Sequence, residues 1–206
     1  MTVGVESLNS TQLLRKGVLT VLVLTALACL SLVSTIPTWA VTHEIVESIG
    51  LALMAVCIVG RCWCTLYIGG RKGAELVDVG PYSISRNPLY VFSFIGAAGM
   101  GAQTGSMLLS IGCALLCWAV FRATVAKEEA YLRQALGESY LRYMATTPRF
   151  LPNPKLWRGA EVLQVRPDRV ALTFFDGLVF LLAIPAAEGL EWLQQTGRLP
   201  IILHLP

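Results

Sequence analysis

An all-α integral membrane protein is the fold class this sequence predicts, and three observations carry it. Hydrophobic residues make up 55% of the 206-residue chain and charged residues only 14%, whereas roughly a quarter of a soluble domain is charged. Arg86 and the next charged residue, Arg122, are separated by 35 uncharged residues. A second uncharged run covers 26 residues, 17–42, directly after Arg15 and Lys16. A bilayer-spanning helix needs about 20 mostly apolar residues. The length suits a single membrane domain, residues 1–206,.

About five transmembrane helices are expected. The first covers about 18–36 and stops before Pro37. Its apolar run exceeds the roughly 7–15 residues of a signal-peptide core, so it reads as a retained span. The second covers about 45–68 and contains Arg61, expected to snorkel to the near face about two turns away,. Gly69-Gly70-Arg71-Lys72-Gly73 ends it with a basic turn, and 74–87 reads as a surface loop broken at Gly80-Pro81. The run after Pro88 carries its own breaker, a turn formed by Gly96, Gly99, Gly101 and Gly105 with Gln103 and Thr104. It divides into a helical hairpin of about 89–102 and 106–126.

From Lys127 to Ala145 the pattern changes. Leu132, Ala135, Leu136, Tyr140, Tyr143 and Met144 recur at helical spacing between charged positions. This predicts a cytosolic amphipathic helix, or two short ones broken at Gly137. Pro148, Pro152 and Pro154 keep the following chain extended,. A fifth span, about 170–190, contains Asp176 and Pro185. The chain thus reads as an N-terminal two-helix part (1–73), a hairpin with its cytosolic segment (74–158), and a linker with the fifth helix (159–206).

Charge distribution sets the orientation. Basic residues cluster before the first helix, between the second and third, and between the fourth and fifth. The positive-inside rule then puts the N-terminus and all three clusters in the cytosol. The net charge of +3 is too small to imply nucleic acid. The six cysteines lie in or beside apolar runs without a clustered His or a second Cys pair, so no metal site is expected,. The sequence leaves the oligomeric state open.

A hairpin returns its two ends to one membrane face, which brings Arg86 beside Glu128 and Glu129. A guanidinium matches a carboxylate in a planar fork. Neighbouring Glu residues on a helix point about 100° apart and should hold different jobs. Plainer roles exist for each: Arg86 as a membrane anchor, the Glu pair as a solvated face, and Tyr82, Tyr90, Tyr140 and Tyr143 as interfacial aromatics.

In order, the chain shows Gly80-x-Tyr82, Arg86-Asn87-Pro88-x-Tyr90, a hairpin, Glu128-Glu129-x-x-Leu132, Gly137-x-x-Tyr140-x-x-Tyr143 and Pro148-Arg149-x-x-Pro152. This set resembles the isoprenylcysteine carboxyl methyltransferase family, whose wider group includes the phospholipid methyltransferases. The match covers about a third of the chain. Asn87 stands where the family often has His, and Phe92-Ser93 where a small Gly is common.

The resemblance implies S-adenosylmethionine as methyl donor, held on the cytosolic side. It implies catalytic roles for Arg86 and Glu129. It implies cofactor-binding roles for Tyr82, Asn87, Pro88, Tyr90, Glu128, Tyr140 and Tyr143. The acceptor it implies is lipophilic or prenylated, first of all the carboxylate of an isoprenylcysteine-like molecule, reached from the membrane lipids. A phospholipid amine or a small thiol are alternative acceptors. Two other classes compete: a nicotinamide-dependent membrane reductase, whose Asn-Tyr-x-x-Glu pattern is missing after Pro88, and a non-catalytic scaffold, which leaves the clustered Arg, Glu and Tyr unexplained.

Overall fold

The structure is a computed structural model that describes residues 33–35, 40–69, 75–198 and 203–205. It is helical, with three helices long and apolar enough to cross a membrane: His43–Ile68, Met107–Leu136 and Pro167–Gln195. A shorter apolar helix, Pro88–Ala102, lies among them in sequence. The span expected over 18–36 lies outside the described residues, apart from Val33–Thr35. These three form strand β1, paired in parallel with β2 (Leu203–Leu205), with Val33 opposite Leu203. The helix expected there therefore does not extend through residue 35.

The chain forms two compact units, and Pro37–Ala187 contains all of the site described below. Helix α1 (Ala40–Ile68) packs along α3 (Pro88–Ala102), and α3 packs in turn on α4 (Met107–Leu136). Small residues make the first of these contacts. A Cβ on Gly99 would sit 2.7 Å from the Gly50 carbonyl oxygen, and one on Gly96 2.5 Å from Cys57 Sγ. A side chain on Gly60 would enter the ring of Phe92. Without side chains in the way the backbones approach closely, which is how membrane helices gain packing when lipid is as apolar as they are. Gly96, Gly99 and Gly101 thus lie inside α3 and serve packing, not the turn to which they were assigned.

The turn itself is Gln103 to Gly105. Gly105 N donates to Ala102 O at 3.0 Å, and Gly105 has φ +72, a conformation that favours glycine,. Ser106 caps α4 by accepting from Leu109 N at 3.4 Å. Gln103 is anchored rather than solvated, donating to Glu47 O at 3.0 Å.

Helix α4 does not stop at 126. It runs for 30 residues to Leu136, roughly 45 Å at 1.5 Å per residue. The hydrocarbon core takes only about 30 Å, so the charged last third projects beyond it. Met107, Leu108, Ile111, Leu115 and Leu116 are exposed along the first part, a surface that suits lipid and not water. Gly137, at φ +55, breaks the rod, and α5 (Glu138–Thr146) follows. The expected 127–145 amphipathic helix is therefore two elements, the first continuous with the hairpin.

The loop expected over 74–87 contains a single helical turn, α2 (Pro81–Ile84), started by Pro81 after Gly80 at φ +59. The fifth span begins at Pro167 as α6 (Pro167–Leu178), tightens to a 3₁₀ turn at Val179–Leu182, and continues as α7 (Ala183–Gln195). Helix α6 packs on α1, where Thr65 Oγ1 donates to Thr173 Oγ1 at 3.1 Å.

Candidate active site

Three stretches of chain meet where the hairpin ends. The first is 80–87, the second is the part of α4 carrying Glu128 and Glu129, and the third is 148–158. Backbone groups join the first to the third. Arg86 N donates to Pro148 O at 2.8 Å, Asn153 N to Ile84 O at 2.9 Å, and Gly80 N to Arg158 O at 2.7 Å. Ser85, almost wholly buried, donates its hydroxyl to Phe150 O at 3.0 Å. Trp157 stacks on Trp63 of α1 with ring centroids 5.8 Å apart. Prolines 148 and 152 keep 148–153 extended, leaving its N–H and C=O groups free for such pairing, whereas Pro154 opens a short 3₁₀ turn, Pro154–Leu156, in place of the extended chain expected there,.

Glu129 is the centre of the site and is 1% exposed. Its Oε1 accepts from Arg86 Nε at 3.1 Å and from Asn87 Nδ2 at 3.3 Å. Its Oε2 accepts from Arg149 Nη2 at 2.6 Å. Arg86 spends Nη1 on Met144 O of α5 at 2.8 Å. Two guanidinium groups around one carboxylate leave one net positive charge. Arg149 Nε is buried and has no partner among the described residues.

Asn87 donates from the same Nδ2 to Arg149 O at 3.2 Å. Both of its partners are acceptors, which fixes the amide orientation. The residue standing where the resembling family often has His is thus a two-way clamp in this chain. Pro88 opens α3 and is buried; at a helix start its missing N–H is no loss,.

Glu128 lies one residue earlier, about 100° around α4, and accepts from Tyr90 Oη at 3.0 Å. The Tyr90 ring is 4.8 Å from that of Phe121, which is 6.3 Å from Phe94, itself 5.6 Å from Phe150. An aromatic row therefore runs from Glu128 to the stretch after α5. Tyr143 donates its hydroxyl to Tyr82 O at 2.6 Å, and Tyr140 packs beside it with ring centroids 5.9 Å apart. Burial pushes the Tyr82 phenol well above its ordinary range, with Cys64, Tyr143, Glu128 and Tyr90 adding to it. Burial also raises Tyr143, and it pushes Tyr140 up to about 12, with Glu129 contributing. All three stay protonated at physiological pH and do not serve as bases.

Of the residues singled out from sequence, Arg86, Asn87 and Glu129 share one hydrogen-bonded cluster. Tyr90 and Glu128 form a second pair. Tyr143 reaches the loop through its bond to Tyr82 O, and Tyr140 packs beside Tyr143. Arg149, Ser85 and Ser93 had been given no role. The Pro148-Arg149-x-x-Pro152 signature contained the signal for Arg149. Arg61 is half-buried and its head group is not free: its Nη1 is bound to Ser93 Oγ of α3 at 2.6 Å, between two helices. This corrects the expected snorkelling.

A helical membrane protein whose polar residues converge at the mouth of a hairpin is the class this geometry defines. Comparison with known proteins makes it specific. The phospholipid methyltransferase family model matches residues 45–139. The cobalt-zinc-cadmium resistance protein CzcN of Cupriavidus metallidurans is 33% identical over 168 residues, 82% of this chain and 76% of that protein. The nickel-cobalt-cadmium resistance protein NccN of Alcaligenes xylosoxydans xylosoxydans is 34% identical over 159 residues, 77% of this chain and 74% of that one. The protein-S-isoprenylcysteine O-methyltransferase of Schizosaccharomyces pombe is 35% identical over 82 residues, 40% of this chain and 35% of that protein. No solved structure matches significantly. The chain belongs to the phospholipid methyltransferase family, the group that includes the isoprenylcysteine carboxyl methyltransferases, and is a membrane methyltransferase of that kind.

Proposed function

We propose that this protein transfers methyl from S-adenosylmethionine to the carboxylate of a lipophilic acceptor of the isoprenylcysteine type, on the cytosolic side of its membrane. The observation that carries the reading is the Glu129 cluster, in which the loop before α3, the end of the hairpin and the stretch after α5 close on one another.

The residues fit the donor. Its amino-acid end carries a carboxylate and an ammonium. Arg149, with its unpartnered buried Nε, suits the carboxylate, and Glu128 with Tyr90 suits the ammonium,. Tyr82, Asn87, Pro88, Tyr140 and Tyr143 hold the backbone that surrounds it. The bound donor supplies an electrophilic methyl on a sulfonium, and transfer forms one C–O bond as the S–CH₃ bond breaks, its electron pair staying on sulfur.

The chain's own groups then have three tasks. Arg86 and Glu129 fix the geometry of the loop and of Arg149. The aromatic row from Tyr90 to Phe150 excludes water and offers apolar contact to the acceptor,. No residue has to take a proton, because a carboxylate acceptor has none to lose. This favours a carboxylate over an amine or a thiol. Glu129 is held by two arginines, Asn87 cannot hold a proton, and the phenols are raised by burial. A base for a protonated nucleophile would have to be found among partners already engaged.

The test is purified protein in lipid nanodiscs with methyl-labelled S-adenosylmethionine and three acceptor sets: prenylcysteine analogues, phosphatidylethanolamine and small thiols. Base-labile methyl esters on the first set are expected. Label on an amine or a thiol alone would refute the carboxylate reading, and no donor binding would refute the reading as a whole.

A further inference from the structure

Arg61 is a cation inside a membrane span, within His43–Ile68. Such residues are costly and mark function unless they reach the surface. This one is turned inward. Its Nη1 donates to Ser93 Oγ at 2.6 Å, and the buried Ser93 hydroxyl donates in turn to Leu89 O at 3.0 Å. Arg61 Nε is buried and has no partner among the described residues. No described carboxylate forms an ion pair with it. The groups in its electrostatic reach include the thiols of Cys57, Cys62, Cys64 and Cys117. A guanidinium held in an apolar setting without a counter-charge is a poor structural device, since removing it would relieve a desolvation cost. It is a good receptor for an anion.

Its position relative to the site follows by two routes. Ser93 lies three residues beyond Tyr90 on α3, roughly one turn or about 4.5 Å further into the span, and Tyr90 holds Glu128. Cys64 lies three residues beyond Arg61 on α1 and packs with Tyr82. Arg61 is therefore about one turn below both tyrosines, on the bilayer side. Arg86, the other cation suited to a carboxylate, has Nε on Glu129 and Nη1 on Met144 O.

We propose that Arg61 and Ser93 form the subsite that receives the carboxylate of a lipophilic acceptor entering from the bilayer. The subsite rests on the methyl-transfer reading and assigns the acceptor grip to a residue outside the Glu129 cluster. Arg61 Nε and Nη2 are the side-on edge of the guanidinium, the edge that pairs with a carboxylate through two parallel hydrogen bonds.

The experiment measures binding of N-acetyl-S-farnesylcysteine and of its methyl ester to the full-length protein in nanodiscs with S-adenosylhomocysteine present. The acid is expected to bind about tenfold or more tighter than the ester, the margin of one charge-assisted pair. Arg61→Gln should abolish that preference while leaving S-adenosylhomocysteine affinity within about twofold. Ser93→Ala, which keeps the charge but frees the guanidinium, should reduce the preference by about threefold, and it covers the case in which Arg61→Gln fails to fold. An unchanged acid preference in either variant, or no binding of the acid to the parent protein, overturns the subsite. A parent protein that binds neither S-adenosylmethionine nor S-adenosylhomocysteine instead overturns the methyl-transfer reading, and the acid-against-ester contrast at Arg61, measured without them, still reports on the subsite.

Discussion

Arg149 Nη2 and Glu129 Oε2 are 2.6 Å apart, the shortest ion pair among the described residues. The pair links α4 to the stretch that follows α5. It also changes what Glu129 is for. A carboxylate bonded on both oxygens, buried to 1% exposure and shared by two guanidinium groups, cannot also neutralise a bound cation at full strength. Its role in the cluster is to hold Arg86 and Arg149 where they are.

Glu129→Gln keeps the shape and removes the charge, leaving Arg86 and Arg149 to repel each other. Breaking a buried pair on one side costs about 3–5 kcal/mol, and the partial exposure of Arg149 places this case near the lower end,. Glu138→Gln, on the exposed first turn of α5, should cost less than about 1 kcal/mol,. Thermal unfolding of the two variants in the same detergent, with donor titrations on each, reads the contrast. Equal effects at the two positions would reduce the Glu129 cluster to surface electrostatics.

Arg86→Lys keeps the positive charge and therefore the orientation of the chain. One ammonium cannot serve both Glu129 Oε1 and Met144 O, which Arg86 reaches from different nitrogens. Turnover is expected to fall by about tenfold or more, with topology unchanged. Steady-state kinetics with varied donor and acceptor would assign the loss. Normal turnover in this variant would show that Arg86 serves only as a membrane anchor.

Much of this arrangement was legible in the sequence, and what was not has physical causes. The helix read as 45–68 is Ala40–Ile68, and the one read as 89–102 is Pro88–Ala102. Apolar runs and a Pro at the helix start are local signals, and local signals survive folding. The charge at Lys127 predicts a helix end at 126, ten residues before α4 stops at Leu136. It marks instead the end of the membrane around a helix that continues. The glycines of α3 read as a turn because nothing in the sequence says that α1 lies against them. Arg149 and Ser93 went unassigned for the same reason, since their partners are 20 and 32 residues away on other elements, α4 for Arg149 and α1 for Ser93.

The orientation of the hairpin is open to direct labelling. In a cysteine-free background, Lys155→Cys should react with a membrane-impermeant maleimide applied from the cytosolic side. Thr104→Cys, in the turn between α3 and α4, should react from the opposite side only or stay protected. Thr104 is a better reporter than its neighbour Gln103, which is buried and bonded to Glu47 O. Full cytosolic labelling of both positions would contradict a hairpin that crosses the membrane.

Tyr143→Phe tests whether α5 is a fixed wall of the site. The hydroxyl of Tyr143 ends on Tyr82 O at 2.6 Å and, with the bond from Arg86 Nη1 to Met144 O, ties α5 to the loop before α3. Removing it leaves a buried carbonyl without that partner, a loss of about 1–3 kcal/mol. No charge changes, so the Glu129 cluster remains intact in composition. Local opening of α5 should then become more frequent, with its amides exchanging about tenfold faster or more for each 1.4 kcal/mol lost. Amides of α1 and α3 should be unaffected. Tyr140→Phe supplies the control. Tyr140 is equally buried, but no hydrogen bond from its hydroxyl ties α5 to the loop among the described residues. Hydrogen exchange of the two variants should therefore separate them, with donor affinity falling severalfold in Tyr143→Phe alone. Uniformly faster exchange through α1 and α3 as well would mean that Tyr143 supports the whole fold, and its assignment to the wall of the site would be withdrawn.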